Sequence, residues 1–274
     1  MNKTKTKTSN IELLSEKNKD PRDKFISLNE KTHIYTINNN TDYTSVTTFV
    51  HSLFKPFDSD KVIDNILKGK NYKTSKYFNM TRQEIKDMWE VNRKEAADKG
   101  TKLHLDIENY YNNLTVKNNS IEYQYFKNFL NNNKNLKPYR TEWKVWDEDY
   151  KITGTIDMVY ENDDKTLMIY DWKRSKSIIR NRPFETYSNI DCISHIPDLN
   201  FWHYSLQLNI YKRILESKYN KKVTKMCLIC LYPDNSNYIE LEVPELCEEI
   251  EDLFNLQKQN LKTKSKNKYK NNYI

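Results

Sequence analysis

Two apolar runs with acids inside them constrain this chain more than any other feature. They read YKITGTIDMVY and KTLMIYDWKRS, and ENDD stands between them. Their β-branched and aromatic content predicts strands, and ENDD predicts the turn of a hairpin. Asp157 and Asp171 each sit in such a run, and Lys173 follows Asp171 by two residues. Residues of one parity share a strand face, so Asp171 and Lys173 are neighbours. Cross-strand register can bring Asp157 alongside Asp171. Carboxylates that converge in a half-buried place repel each other and lose hydration. A hard cation such as Mg²⁺ or Mn²⁺ satisfies them. A lysine beside it can orient a water or offset charge on a phosphate. An α/β domain with ordinary surface charges gives no reason for acids inside these runs.

The rest of the chain supplies helices before the hairpin and a mixture after it. Residues 1–40 are polar and weakly patterned, and read as an N-terminal extension. TSVTTFVHSLF, from Thr44, reads as a short strand or the start of a helix. Asp58 opens SDKVIDNILKG, which has helical spacing and stops at Gly69. TRQE, with Thr81 and Glu84, is a capping box for a helix carrying Ile85, Met88 and Trp89. Gly100 is expected to interrupt that helix, with Thr101 capping a second one over KLHLDIENYY. A further helix covers residues 121–131. RTEWKVWD reads as a strand before the hairpin. FWHYSLQLNIYKRILES is an amphipathic helix, VTKMCLICLY and NYIELEV are strands, and PELCEEIEDLFNLQKQ closes the chain as a helix. This order predicts an α/β core with a mixed sheet.

Charge is unevenly placed. The net charge is +7, but residues 1–10 and 258–274 hold nine lysines and no acid, so the remainder is near −2. The body, residues 41–257, is therefore expected to be a near-neutral single domain. The tail at 258–274 is expected to be disordered and able to touch polyanions. No run is long and apolar enough for a membrane span. MNKTKTKTSN lacks the apolar stretch of a secretory signal, which points to an intracellular protein. Of the cysteines, Cys227 and Cys230 lie in an apolar strand without a second pair, so core thiols are expected rather than a zinc site.

Only three glycines occur, Gly69, Gly100 and Gly154, so each survivor is expected to meet a backbone need. Gly154 precedes Asp157 by three residues and Gly100 precedes His104 by four. His104 and Glu108 are one helical turn apart and can supply a metal ligand and its supporting partner. Gln207 and Tyr211 are likewise one turn apart, and their polar ends could hold a phosphate, a base or a water.

GTID, DWK fourteen residues after its aspartate, GTKLH upstream and QLNIY downstream together resemble the PD-(D/E)XK nuclease superfamily, RecB-type exonuclease branch. The motifs cover about residues 100–215 in that branch's order. The stretch from TSVTTFV through MWEVNRKEAADKGTKLH more loosely resembles phage and large-virus members and the mitochondrial genome maintenance exonuclease group. The resemblance implies a restriction-endonuclease-like core, a central mixed sheet flanked by helices, with a helical N-terminal portion. It implies metal ligation by His104, Asp157, Asp171 and the backbone carbonyl of Trp172. Catalysis would fall to Lys173, Asp171 and Asp157, and substrate positioning to Gln207 and Tyr211. Glu108 and Glu142 would stand behind the ligands. One or two Mg²⁺ or Mn²⁺ ions are implied. Some relatives carry an iron–sulfur cluster on one cysteine before these motifs and three after. No cysteine precedes Cys192 here, so no cluster is expected. The expected activity is metal-dependent hydrolysis of DNA, single- or double-stranded, with linear ends favoured, in replication, recombination or repair. The setting would be the cytoplasm, or the nucleus of a host cell if the chain is viral. The alternatives are a non-catalytic nuclease-fold scaffold and a structure-selective endonuclease.

Overall fold

The computed structural model describes residues 13–183 and 186–271. The basic stretch at residues 1–10 lies outside them, as do residues 272–274. The chain enters the fold with one helical turn, α1 (Leu14–Lys17), and a small antiparallel hairpin, β1 (Ile26–Asn29) and β2 (Ile34–Ile37). These residues differ from the loose extension expected of residues 1–40, because their polar side chains find distant partners. Asp23 accepts from Arg140 Nη1 at 2.8 Å and from Trp143 Nε1 at 3.1 Å. Arg22 lies over the Trp146 ring, 3.7 Å from its centroid.

The run at Thr44 resolves into both of its readings. β3 (Thr44–Ser45) leads directly into α2 (Val46–Ser52), and Ser45 caps the helix by accepting from the Thr48 amide. α3 (Ser59–Lys68) is capped by Asp58. α4 (Arg82–Tyr111) follows, opened by the Thr81–Glu84 capping box. It is one helix of 30 residues, so the break expected at Gly100 and the cap at Thr101 are absent. A lone glycine costs a helix only about 1 kcal/mol, and packing nearer the two ends of the helix, through Ile85 and through Leu103 and Ile107, overrides that. α5 (Ile121–Asn132) completes the helical portion.

The sheet comes next. β4 (Lys137–Asp147), β5 (Ile152–Glu161) and β6 (Leu167–Lys173) run antiparallel in succession, with ENDD at the second turn. After a connection that contains a short turn at Asp191–Ile193, α6 (Asn200–Lys218) crosses over to β7 (Val223–Cys230), which pairs parallel with β6. β8 (Ile239–Glu242) closes that edge antiparallel. The result is α/β, with a mixed sheet ordered β3-β5-β6-β7-β8 and β4 on the other side of β5. α2 and α6 cover one face, with Phe201, Leu206, Ile210 and Ile214 packed on Val159, Ile169 and Leu228. The second half of α4 and α5 cover the other, with Leu103, Ile107, Phe126 and Phe129 on Met158, Tyr170 and Trp172. Cys227 and Cys230 are buried in β7, as core thiols should be.

α7 (Cys247–Asn271) ends the described chain. Ile250, Leu253 and Phe254 are buried beneath it, each worth about 1.5–3 kcal/mol. That anchor carries the helix on through residues 258–271, where disorder was expected from the lysine-rich composition. No helix among the described residues is long and apolar enough to cross a membrane.

Candidate active site

β5 has a divided edge. Its first residues pair with β3, at Ile152 and Thr153, and its last four pair with β6, from Met158 to Glu161. Between them, at 154–157, neither neighbour is paired. The sequence-expected acids stand at this gap. In register, Asp157 falls opposite Asp171, one step beyond the last paired residues, Met158 and Tyr170. On its other side Asp157 falls opposite Glu142, between the pairs Thr141–Met158 and Trp143–Ile156. Glu142, Asp157 and Asp171 thus form a row across β4, β5 and β6.

The backbone is distorted along this row. Glu142 has φ of 44°, a left-handed conformation that costs a non-glycine residue about 1 kcal/mol or more. The alternation of β5 also changes phase there: Ile152 and Ile156 pack on the α6 side, and so does Val159. The Asp157 side chain replaces a missing ladder bond, since its Oδ2 accepts from the Trp172 amide at 3.0 Å.

α4 delivers His104 to the gap. Its Nε2 is 2.9 Å from the Trp172 carbonyl, which can only accept, so the proton sits on Nε2. In the neutral ring Nδ1 then carries the lone pair, and it is 3.5 Å from Asp157 Oδ2 and 3.9 Å from Glu142 Oε1. One ligand atom from each of His104, Glu142 and Asp157 lies within 4.8 Å of the others. Burial, with Asp157 and Glu108 nearby, pushes the Glu142 carboxyl up to about 9. Such a carboxyl needs a proton or a cation to neutralise it. Two carboxylates and an imidazole lone pair fit Mn²⁺ or Mg²⁺.

Asp171 does something else. It is buried and ion-paired with Lys173, at 2.7 Å, and is not in the group around His104. Burial pushes its carboxyl up, to about 7, against the pull of Lys173. Burial alone would lower the Lys173 ammonium, but Asp171 and Asp157 together raise it. Lys173 therefore carries a firm positive charge, 4.6 Å from the centroid of the Tyr204 ring.

The helix pair also departs from expectation. Tyr211 is buried, only 3% exposed, so it cannot touch a substrate directly. It lies against Gly154: a Cβ there would stand 2.8 Å from both Cε1 and Oη of its ring. Gly154 thus serves a side chain rather than a turn. Gln207 Nε2 donates to Tyr211 Oη at 3.4 Å, and Gln207 itself is half-buried. Gly100 has open space around its Cα, so nothing steric requires it. Glu108 lies with Glu142, Arg140 and Lys144 around a cavity of about 230 Å³ beside the row, where it raises Glu142 without supporting His104.

Two nearby tyrosines escaped the sequence reading. Tyr204 precedes Gln207 by three residues and shares its helical stripe, which was the available signal. Tyr35, on β2, bonds Thr155 Oγ1 through its hydroxyl at 2.8 Å. Burial raises its hydroxyl, and Glu142 and Asp157 add to that. Nothing in residues 1–40 announces this contact.

No family model and no curated protein matches the chain. Among solved structures, the crystal structure of SSO0001 is similar at 18% sequence identity, over 82% of this chain and 77% of that chain, with a TM-score of 0.36. A likeness at that score carries no argument about fold or chemistry.

Proposed function

We propose that this protein is a metal-dependent nuclease that hydrolyses phosphodiester bonds in DNA, acting from linear ends. The observation that carries the reading is the row Glu142, Asp157 and Asp171 at one interrupted place in the sheet, with His104 on one side and Lys173 on the other. A scaffold has no chemical use for three acids and a buried ammonium at a gap that costs backbone pairing. The sequence resemblance to the RecB-type branch supports the same reading, including a restriction-endonuclease-like core.

His104 Nδ1, Glu142 and Asp157 would hold Mg²⁺ or Mn²⁺. When bound, such a cation lowers the pKa of a water and offsets charge on a phosphate. The Trp172 amide and carbonyl fix Asp157 and His104 from the backbone, so both side chains are oriented before any ligand arrives. Asp171 holds Lys173 in place, and Lys173 presents a positive charge to the phosphate being attacked. Tyr211 keeps β5 in position through Gly154, and half-buried Gln207 donates to its hydroxyl.

The test uses purified full-length protein with end-labelled linear duplex, linear single strand and closed circular DNA. Wild type with Mn²⁺ or Mg²⁺ should degrade linear DNA and leave circles intact, and EDTA should stop it. Lys173→Ala and Glu142→Gln should each lose at least about a hundredfold in rate, the size of effect seen when one electrostatic group is removed. Nicking of circles with the same metal and lysine dependence would mean an endonuclease. DNA binding without cleavage under any metal would overturn the reading.

A further inference from the structure

α3 and the first turns of α4 form a small lobe that stands off from the sheet. Residues 90–99 of α4 are exposed without exception, so the helix passes bare between the lobe and the core. Trp89 lies about 22 Å up the helix axis from His104, at 1.5 Å per residue. The lobe has a thin apolar centre, Ile63 and Ile85, yet it holds five aromatic rings. Phe57 is 73% exposed and Phe78 45%. The Phe57 and Tyr77 rings lie 6.0 and 6.1 Å from Trp89, and Trp89 Nε1 donates to Tyr77 Oη at 3.1 Å. Tyr72 and Phe78 meet edge to face, with centroids 5.6 Å apart. The rings are therefore braced by one another while their outer faces stay open to water.

The segment that carries Tyr72, Tyr77 and Phe78 is basic, whereas Asp58, Asp60 and Asp64 follow Phe57. Residues 65–83 carry Lys68, Lys70, Lys73, Lys76 and Arg82 and no acid. Arg82 pairs with Asp60 and Asp64, but the four lysines form no ion pair among the described residues. Lys76 sits over the Tyr77 ring, 5.1 Å from its centroid. Fixed rings alone would suit many apolar partners. Rings interleaved with unpaired ammonium groups suit a chain that alternates flat apolar faces with phosphates. In a duplex the bases stack on one another and offer no face to these rings.

We infer that this lobe is a binding surface for an unpaired nucleic-acid strand, whose bases stack on Phe57 and Phe78 and whose phosphates meet Lys68, Lys70, Lys73 and Lys76. The inference takes from the nuclease reading only its consequence for cleavage; binding by itself does not depend on it.

The experiment measures anisotropy of labelled dT20 and of a 20-base-pair duplex with the full chain in EDTA, so that no cleavage intervenes. The double variant Phe57→Ala, Phe78→Ala should weaken dT20 binding at least about thirtyfold, as loss of two stacked bases requires, and change duplex binding less than about twofold. Lys70→Ala with Lys73→Ala should weaken dT20 binding and lower its salt slope by about one to two. Both variants change exposed side chains, and unchanged melting would show that they fold. An unchanged dT20 affinity in the aromatic variant, or equal losses for strand and duplex, would overturn the inference. The first of those results would leave a protein partner as the occupant of the rings. Strand binding lost in the variant while wild type cuts nothing would keep this surface and remove the nuclease reading. Cleavage by wild type with strand binding untouched in the variant would do the reverse.

Discussion

Asp147 shows how a single buried acid leaves a trace on stability. It ends β4 with 0% exposure. Its Oδ1 accepts from the Asp149 amide at 2.9 Å and the Tyr150 amide at 3.3 Å. Its Oδ2 has no hydrogen-bond partner, and Lys218 Nζ is 3.6 Å from Oδ1. Burial raises the Asp147 carboxyl above its ordinary range, against the pull of Lys218. The folded chain therefore binds a proton more tightly here than the unfolded chain does. Stability from this group is fully present below the ordinary aspartate range and is lost as pH rises through the raised value. Asp147→Asn keeps the acceptor for both amides and removes the titration. Melting temperatures of the variant and wild type should diverge in the variant's favour from pH 4 to pH 7. A constant difference across that range would mean that folding leaves the proton affinity of Asp147 unchanged.

Among the elements, β5 and α6 are coupled through one contact. Gly154→Ala places a methyl group inside the Tyr211 ring position, 2.8 Å from its atoms. Overpacking of this kind costs about 1–3 kcal/mol. In a Tyr211→Ala background the same glycine change should cost under about 0.5 kcal/mol, and a double-mutant cycle by urea unfolding measures the difference. Equal costs in both backgrounds would mean that the ring moves aside freely. This contact also marks the boundary of what the sequence made legible. The hairpin, the helix starts at Asp58 and Thr81, and Asp157, Asp171 and Lys173 followed from local rules: alternation, capping chemistry and parity; Glu142 came only with the family resemblance, as a residue behind the ligands. The site's distortions followed from neither. A left-handed Glu142, a phase change in β5 and a ladder bond moved onto the Asp157 side chain are outcomes of strand competition, which no window of sequence contains. The same holds for Tyr35 and for the Asp23–Arg140 pair, where polar residues far apart in the chain meet. At Gly100 the rule itself misled, because a helix with packed ends tolerates a central glycine.

For the whole molecule, the candidate cation site is a seam between the helical portion and the sheet, which packing and bonds such as His104–Trp172 and Arg174–Glu122 already join. β4, β5 and α4 would each contribute one ligand atom, from Glu142, Asp157 and His104. A cation held by all three ties the helical portion to the sheet and favours the folded state by mass action. At a hundred times its Kd, Mn²⁺ should add about 2.7 kcal/mol. For a chain of this size that is about 5–10 °C in melting temperature, measured by calorimetry against an EDTA control. Asp157→Asn should abolish most of the shift. A shift that persists in that variant would place the cation elsewhere.

The fit of Tyr211 against Gly154 also bears on how such a chain can change over time. An alanine at position 154 is acceptable only after the ring at 211 has gone, whereas loss of the ring leaves glycine harmless. The two changes can therefore accumulate in one order and not readily in the other. Lineages that keep the tyrosine are held to the glycine, and the path away from this pair begins on the helix.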